Sequence, residues 1–264
     1  TLSQKVGYNY GNYTNTDFVA SFTFDQFKTV GPNSLSVQSG DNSLLTLFST
    51  AQFEKAVKEH QFKLLGGFSQ EEFREDWSRA FRDRFPNNSL YEINAGSSSN
   101  QQSSGSASEW GLRSYFGRLN YSFKGKYLFE ANGRYDGTSR FPTDGRWGFF
   151  KSFSAGWRIS EESFVKDKIT WIDNLKLRAS WGELGNQNIG TYPYQNRLIL
   201  GENYSFGGAL VPGARVTTVA NSNITWETTT TKDIGLDLDI LRGKLSFVFD
   251  YFDRVTSGIL YNVS

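Results

Sequence analysis

The chain has 264 residues and a formal net charge of +1, so it lacks the basic excess of a general nucleic-acid-binding surface. It contains no cysteine, which excludes disulfide bonds and thiolate metal sites. No run of about 18 apolar residues occurs, so no transmembrane helix is predicted. The mean hydropathy of −0.50 is that of many soluble proteins, but β-barrel strands are half polar and give a similar average.

Alternating apolar and polar residues dominate the chain. In Leu175 to Trp181 the Leu, Ala and Trp side chains point one way, while Lys, Arg and Ser point the other. Ile234 to Ile240 repeats the pattern with aspartates on the polar face. The pattern predicts about ten strands, many longer than those of soluble sheets. They are Val6 to Asn15, Thr16 to Val30, Ser43 to Val57, Gln61 to Asp76, Trp110 to Phe123, Lys126 to Arg140, Trp147 to Ser160, Asn174 to Leu184, Ile224 to Leu241 and Lys244 to Gly258.

The connections alternate between short and long. Tight turns are predicted at Glu59-His60, Lys124-Gly125 and Arg242-Gly243. Long polar loops are predicted at Gly31 to Asn42, Trp77 to Glu109 and Gly185 to Asn223, and Gly96 to Ser108 has the composition of a flexible loop tip. Ser160 to Asp173 is expected to be a longer turn with one helical turn capped by Ser160.

This organisation predicts an all-β fold, an antiparallel transmembrane β-barrel with short periplasmic turns and long extracellular loops. Aromatic residues near the tight turns would form an interfacial girdle of Phe53, Phe62, Tyr121, Phe123, Tyr127 and Phe129. A secreted β-sandwich that binds glycans remains an alternative, because its strands also alternate with a period of two.

The polar face of the predicted strands carries many charges, which cannot be packed dry without matched partners. They indicate a wide, hydrated lumen or a lumen lined against another polar protein element. The charges predicted to face the lumen are Arg118, Glu130, Arg134, Arg158, Lys176, Arg178, Asp233, Asp237 and Asp239.

The sequence predicts no catalytic residues, no metal site and no cofactor. His60 is the single histidine and lies in a predicted turn, so a solvated residue is favoured over a Ser-His-Asp triad or a zinc site. Glu71, Glu72, Glu75 and Asp76 could form a glycosidase pair, but a solvated rim beside Arg74 and Arg79 is favoured. The three aspartates of Asp233 to Asp239 could attract Ca²⁺, although pairing with basic side chains of adjacent strands is the simpler interpretation.

Aromatic residues in the long loops are candidates for contact with a substrate or a partner. Flat rings stack on sugars and pack against peptides, but they also pack loop against loop. The candidates are Trp77, Tyr91, Tyr192, Tyr194, Tyr204 and Phe206.

Five segments between Ser114 and Tyr261 resemble, in order, barrel segments of the SusC/RagA family of TonB-linked outer-membrane proteins. They are Ser114 to Tyr121, Arg134 to Phe141, Phe153 to Ile159, Leu175 to Gly190 and Trp226 to Asp237. Residues before Trp110 match that family only in style.

The resemblance implies a barrel of about 22 strands with an internal plug, which imports oligosaccharides or peptides under force from the TonB complex. It also implies a SusD-like surface lipoprotein as a lid, and a bacterium of the Bacteroidetes type. Residues 1–264 contain no recognisable plug or TonB box, and about ten strands do not complete such a barrel. The chain is therefore expected to be a portion of the barrel domain, without plug and N-terminal regions. A passive porin is a further alternative.

Overall fold

The computed structural model describes residues 1–218 and 220–261. Within these residues, nine long strands form one sheet and six short strands form three two-stranded pairs. The strands are β1 (Leu2–Val19), β2 (Phe22–Asp25), β3 (Lys28–Val30), β4 (Ser34–Val57), β5 (His60–Asp83), β6 (Gln102–Phe123), β7 (Tyr127–Thr138), β8 (Trp147–Arg158), β9 (Ile172–Asn186), β10 (Arg197–Leu200), β11 (Tyr204–Phe206), β12 (Ala209–Val211), β13 (Ala214–Thr218), β14 (Glu227–Ile240) and β15 (Leu245–Ser257).

The large sheet has the order β1-β4-β5-β6-β7-β8-β9-β14-β15. Each of these strands therefore lies beside its neighbour in the chain, once the short strands are set aside. Pairing is antiparallel from β6 to β15, with the single register shift of the β9–β14 pair near Ile240. The short pairs are β2 with β3, β10 with β13 and β11 with β12.

The register places the apolar and charged residues on opposite faces of the sheet. Tyr127 pairs with Trp157, which pairs with Leu177, which in turn pairs with Leu236. These side chains share one face, because directly opposed residues of neighbouring strands point the same way. We call it the aromatic face. The face is exposed: Trp157 is 36% and Phe247 53% accessible. A β-sandwich would bury these residues against a second sheet, so that alternative is wrong.

Tight turns connect the strands at one end of the sheet. Lys124 and Gly125, with φ of 55° and 67°, make the β6–β7 turn, and Leu241, Arg242 and Gly243 adopt positive φ between β14 and β15. The first predicted turn lies one residue earlier, since Lys58 (φ 54°) and Glu59 turn and His60 begins β5.

Between β8 and β9 a 3-10 turn (Ile159–Glu161) precedes the short helix α1 (Ser163–Lys166). The helical turn was predicted, but its N-cap is Glu162 rather than Ser160, and no side chain caps it.

Several predicted boundaries are wrong. Residues 6–30, predicted as two strands, form β1 and the β2–β3 hairpin. The predicted loop Gly31 to Asn42 is mostly strand, because β4 already begins at Ser34. The loop predicted from Trp77 to Glu109 shrinks to residues 84–101, since β5 runs to Asp83 and β6 starts at Gln102. The alternation of Leu35 and Val37 at the start of β4 is short and lies among polar residues, so the prediction missed it. At the end of β5, Arg79 and Asp83 share the face of Trp77 and Phe81, which hides the alternation there.

Contacts divide the chain into two compact units. One comprises residues 1–5, 47–70 and 111 onward, and the other comprises residues 6–46 and 71–110. In the second unit Asn33 is buried and its side-chain Oδ1 accepts a 2.8 Å hydrogen bond from the Phe85 N–H, while its Nδ2 donates to the Phe85 and Asn87 carbonyls. Leu35 and Phe85 are also buried in this unit.

No helix in the described part of the chain has the length and apolar character to cross a membrane.

Candidate functional site

The sheet residues of β6 to β15 that point away from the aromatic face form a second face, which we call the polar face. In the first unit it carries many hydrogen-bonded and ion-paired side chains. Alternation along each strand places them there, and the register brings residues from distant parts of the chain side by side.

Arg178 is the centre of the densest group on this face. Its guanidinium lies 2.6 Å from Asp250, 3.2 Å from Asp237 and 3.4 Å from Asp233. Lys176 lies 3.9 Å from Asp237. The Arg178 side chain is 29% accessible, so the group is partly hydrated. The group contains more carboxylates than cations. An arginine with five donors suits this role, because one planar group can serve several acceptors.

Gly235 makes this arrangement sterically feasible. It pairs with Arg178 on β9 and with Asp250 on β15, so it lies directly between them. A Cβ added at Gly235 would collide with the Arg178 guanidinium and come within 2.6 Å of the Asp250 carboxylate. The missing side chain therefore lets Arg178 reach across β14 to a strand that is two positions away in the sheet.

A second group on the polar face spans β6, β7 and β8. The Asn132 side-chain amide donates to Glu130 (2.8 Å) and Ser152 (3.2 Å), and Arg118 donates to Asn132 (2.8 Å). Asn120 donates to the other oxygen of Glu130. Each polar side chain thus has partners, which lowers the cost of holding it against the sheet.

Arg134 binds Asp136 through its Nε at 2.7 Å and Ser114 through a terminal nitrogen at 2.8 Å. Asp239 accepts a 3.1 Å hydrogen bond from Asn174. Arg158 ends β8 and is exposed, with its backbone N–H bonded to the Lys126 carbonyl. Eight of the nine predicted charges therefore lie in contact groups on the polar face, and Arg158 lies at the turn end of its strand.

A concave space of about 850 Å³ adjoins both contact groups. Glu130, Ser154, Lys176, Arg178 and Asp233 contribute to its lining. Its wall therefore presents both charges and hydroxyl groups.

At the loop end of the polar face, apolar residues replace the charges. Phe141, Phe150, Ile224 and Trp226 are buried together, with Leu112, Ile189, Tyr194 and Leu260 packed around them. Trp226 meets Phe141 and Phe150 edge to face at 5.4 and 5.3 Å. We call these residues the loop core.

Hydrogen bonds fix the loops that contribute to the loop core. The Trp226 indole N–H donates to the Arg146 carbonyl at 3.0 Å, and the Thr225 hydroxyl donates to the Gly145 carbonyl at 3.1 Å. Arg140 donates to the Ile189 carbonyl. Burial lowers the pKa of the Arg140 guanidinium, because desolvation disfavours its charged form.

The structure separates the predicted loop aromatics into packed and projecting residues. Tyr194 packs on the loop core, and Tyr192 contacts Tyr194 edge to face at 6.2 Å. Tyr91 packs against Phe18 at 4.7 Å in the second unit. Trp77 lies within β5 rather than in a loop.

Tyr204 and Phe206 are the projecting pair. They belong to β11, lie 5.2 Å apart and are 67% and 69% accessible. They retain large apolar area that nothing in their own hairpin covers, which is the property expected of a contact residue.

At the end of the sheet where the tight turns lie, Glu162 accepts hydrogen bonds from three side chains. Its carboxylate accepts from the Tyr127 hydroxyl (2.7 Å), the Lys126 ammonium (3.0 Å) and the Trp157 indole (3.2 Å). These bonds, led by that from Tyr127, lower the pKa of Glu162 to about 2. The sequence places this residue only within the predicted turn Ser160 to Asp173. It does not reveal the cluster, because the partners lie up to 36 residues away in the chain.

His60 is not a solvated turn residue. It is half-buried, its Nδ1 lies 2.8 Å from the Tyr121 hydroxyl, and its ring lies 4.7 Å from that of Phe123. Among the described residues no group of three or more His, Cys, Asp or Glu side chains could hold a metal ion.

Comparisons with known proteins identify a family. The family model described as "TonB dependent receptor-like, beta-barrel" matches residues 1–264. The TonB-dependent receptor SusC of Bacteroides thetaiotaomicron is 42% identical over 156 residues, which are 58% of this chain and 15% of that protein. A TonB-dependent receptor of Formosa agariphila is 34% identical over 211 residues, 79% of this chain and 21% of that protein.

Solved structures agree on the fold. The structure of the RagAB peptide transporter superposes with a TM-score of 0.89 at 22% identity, covering 99% of this chain and 29% of that chain. The RagAB peptide importer in its open-open state superposes with a TM-score of 0.85 at 23% identity. The chain thus spans less than a third of the length of each of these relatives.

Proposed function

Because the chain belongs to the TonB-dependent receptor-like β-barrel family, we propose that it forms part of the wall of an outer-membrane importer. The observation that carries this proposal is one sheet with an exposed aromatic face and a charged face, in a chain that the barrel family matches throughout.

The aromatic face contacts lipid in this proposal. Leaving a large apolar side chain in water rather than burying it costs roughly 2 kcal/mol, and this face exposes many of them. Hydrocarbon removes that cost, while the backbone hydrogen bonds of the sheet satisfy the polar main chain.

The polar face lines the interior in this proposal. The Arg178 and Glu130 groups are bonded but not dry, which suits a wall that faces water or a polar protein element. Their charges hydrate the route of the substrate and hold an internal plug through polar contacts.

Substrates are oligosaccharides or peptides, taken up under force from the TonB complex together with a SusD-like lipoprotein. The similarity to the RagAB peptide transporter supports the peptide class. The projecting Tyr204 and Phe206 are the loop residues best placed for contact with substrate or lipoprotein. No catalytic step is part of the proposal, and the relatives carry receptor and transporter names.

Gene deletion in the native bacterium tests the proposal. The complete protein is expected in the outer-membrane fraction, released only by detergent, and its loss is expected to abolish growth on one oligosaccharide or peptide source. Uptake that persists without TonB would instead identify a passive porin. A protein recovered without detergent would contradict membrane placement.

Substitution of both Tyr204 and Phe206 by Ser tests the contact role. Co-purification of the lipoprotein or uptake should fall, while the amount of folded receptor stays unchanged. The matched control is Phe24→Ser, an exposed aromatic of the β2–β3 hairpin.

A further inference from the structure

An aromatic strip crosses four strands near the tight turns. It contains His60 and Phe62 of β5, Tyr121 and Phe123 of β6, Tyr127 of β7 and Trp157 of β8. Neighbouring rings lie close together along its length. Their centroids are 5.0 Å apart for Phe62 and Tyr121, 4.7 Å for His60 and Phe123, 6.3 Å for Phe123 and Tyr127, and 6.5 Å for Tyr127 and Trp157.

The two halves of this strip satisfy their polar atoms differently. In the β7–β8 half, the Tyr127 hydroxyl and the Trp157 indole both donate to Glu162, so an internal carboxylate occupies them. In the β5–β6 half, His60 Nδ1 and the Tyr121 hydroxyl bond each other at 2.8 Å. When Tyr121 is the donor, the neutral imidazole carries its proton on Nε2, and that N–H can serve a further acceptor.

Basic side chains border the β5–β6 half. The Lys124 ammonium lies 5.3 Å over the Phe123 ring and 3.3 Å from Glu59. The Lys124 N–H donates to the Glu59 carbonyl at 2.8 Å, which ties the two turns together and brings Lys58 into the same neighbourhood. Within residues 1–218 and 220–261, Lys58 forms no ion pair and Lys124 pairs with Glu59, so the two turns carry two lysine ammonium groups beside one glutamate carboxylate.

We infer that the β5–β6 half of the strip binds the anionic headgroup of a glycerophospholipid. This inference rests on the proposed membrane placement. Half-exposed rings accept the glycerol and upper acyl region, as aromatic residues do at membrane interfaces. Lys58, Lys124 and the His60 N–H are the complementary groups for the phosphate. The β7–β8 half does not compete, because Glu162 already occupies its donors and would repel an anion.

Lipid titration of the complete receptor tests the inference. The purified protein in detergent would be mixed with phosphatidylglycerol or phosphatidylcholine, and retained lipid would be counted by native mass spectrometry. Each lysine near an anionic headgroup changes affinity about fivefold, so the double variant Lys58→Gln/Lys124→Gln should retain phosphatidylglycerol about 25-fold more weakly. His60→Phe keeps the ring contacts but removes the donor, and should weaken retention a few fold.

Lys28→Gln is the matched control. This lysine also lies over a ring, 5.9 Å from the Phe24 centroid, but in the β2–β3 hairpin. Its replacement should leave lipid retention unchanged. The gel mobility of the double lysine variant before and after heating shows whether it folds. If it does not fold, the retention of phosphatidylglycerol by His60→Phe and by the parent protein still tests the inference.

Three results would overturn the inference: equal retention of phosphatidylglycerol by both variants and the parent protein, equal retention of phosphatidylcholine and phosphatidylglycerol by the parent protein, or displacement by free glycerol phosphate at lipid-like concentrations. The last result would indicate a site for soluble phosphates. Failure of the proposed function would appear separately, as a complete protein that stays in solution without detergent.

Discussion

The polar face contains two regions built on opposite physical rules. Around Arg178, charged side chains from three strands meet and remain partly hydrated. In the loop core, Phe141, Phe150, Ile224 and Trp226 exclude water on the same face of the sheet. Along the strands, the same face of the sheet therefore changes from a partly hydrated charged surface to a small buried apolar core.

The difference shows where the loops are fixed. The charged region needs a complementary medium, either water or another polar element, because its carboxylates outnumber its cations. The loop core needs none, since its residues already bury one another and the Trp226 indole has its acceptor. Loop segments that contribute to the loop core are anchored, and the β11–β12 hairpin projects from them.

Trp226→Ala should have the largest effect. Removing a buried tryptophan from the loop core costs about 3–5 kcal/mol, so protease cleavage in residues 187–226 should become at least about 100-fold faster. Trp171→Ala is the matched control, because Trp171 is 54% exposed. Unchanged cleavage in the Trp226 variant would mean that the loop core does not hold the loops.

Arg178→Gln should have the next largest effect. It leaves three carboxylates facing one another without their common cation and should lower the free energy of unfolding of the complete receptor by about 2 kcal/mol, as measured by urea titration in vesicles. Gly235→Ala should lower it less, by displacing the guanidinium from Asp250.

Adding Asp237→Asn to the Arg178→Gln variant should restore part of the loss, because it removes one of the repelling charges. A double variant less stable than Arg178→Gln alone would contradict the electrostatic explanation.

A pair of tyrosines extends the contrast between anchored and projecting loops. Tyr194→Ala should cost about 1–2 kcal/mol of loop stability, because Tyr194 packs on the loop core. Tyr204→Ala should cost less than about 0.5 kcal/mol, because Tyr204 is exposed. Hydrogen exchange of the loop amides measures both. Equal protection changes in the two variants would remove the distinction.

The smallest effect concerns Glu162, whose pKa of about 2 lies below its ordinary value of 4.5. The carboxylate is favoured in the folded protein, so its stabilisation is complete above about pH 4.5 and is lost as the pH falls towards 2. Glu162→Gln should therefore flatten the fall in stability over this range. Tyr127→Phe, which removes the principal donor, should flatten it partly. Identical pH profiles of parent and Glu162→Gln proteins would contradict this role.

Strand predictions succeeded where the alternation of apolar and polar residues is long and failed where it is short or interrupted. The segments Trp147 to Ser160 and Asn174 to Leu184 correspond to β8 and β9 within a few residues. The start of β4 and the end of β5 were predicted as loop. The alternation of Leu35 and Val37 is too short to stand out among polar residues, and charged residues interrupt the apolar face at the end of β5, so pairing with neighbouring strands decides their structure.

The site predictions stay predictions, but the structure shows what each predicted residue contacts. The charged residues of the polar face follow from alternation, and eight of them lie in contact groups there. The sequence could not sort the loop aromatics, because Tyr194 and Tyr204 both lie in the predicted loop Gly185 to Asn223 and differ only in their tertiary surroundings. Gly235 carried a weak signal, as a residue without a side chain between charged residues of a strand.

By itself, the sequence determined the strand-rich class, the two-faced character of the strands and the family resemblance, because side-chain alternation is a property of each strand alone. Tertiary structure decided what each group touches: that Arg178 crosses Gly235 to Asp250, that Glu162 gathers Lys126, Tyr127 and Trp157, and that Trp226 closes a core with Phe141 and Phe150. These contacts join residues far apart in the chain, so they exist only once the strand register is set.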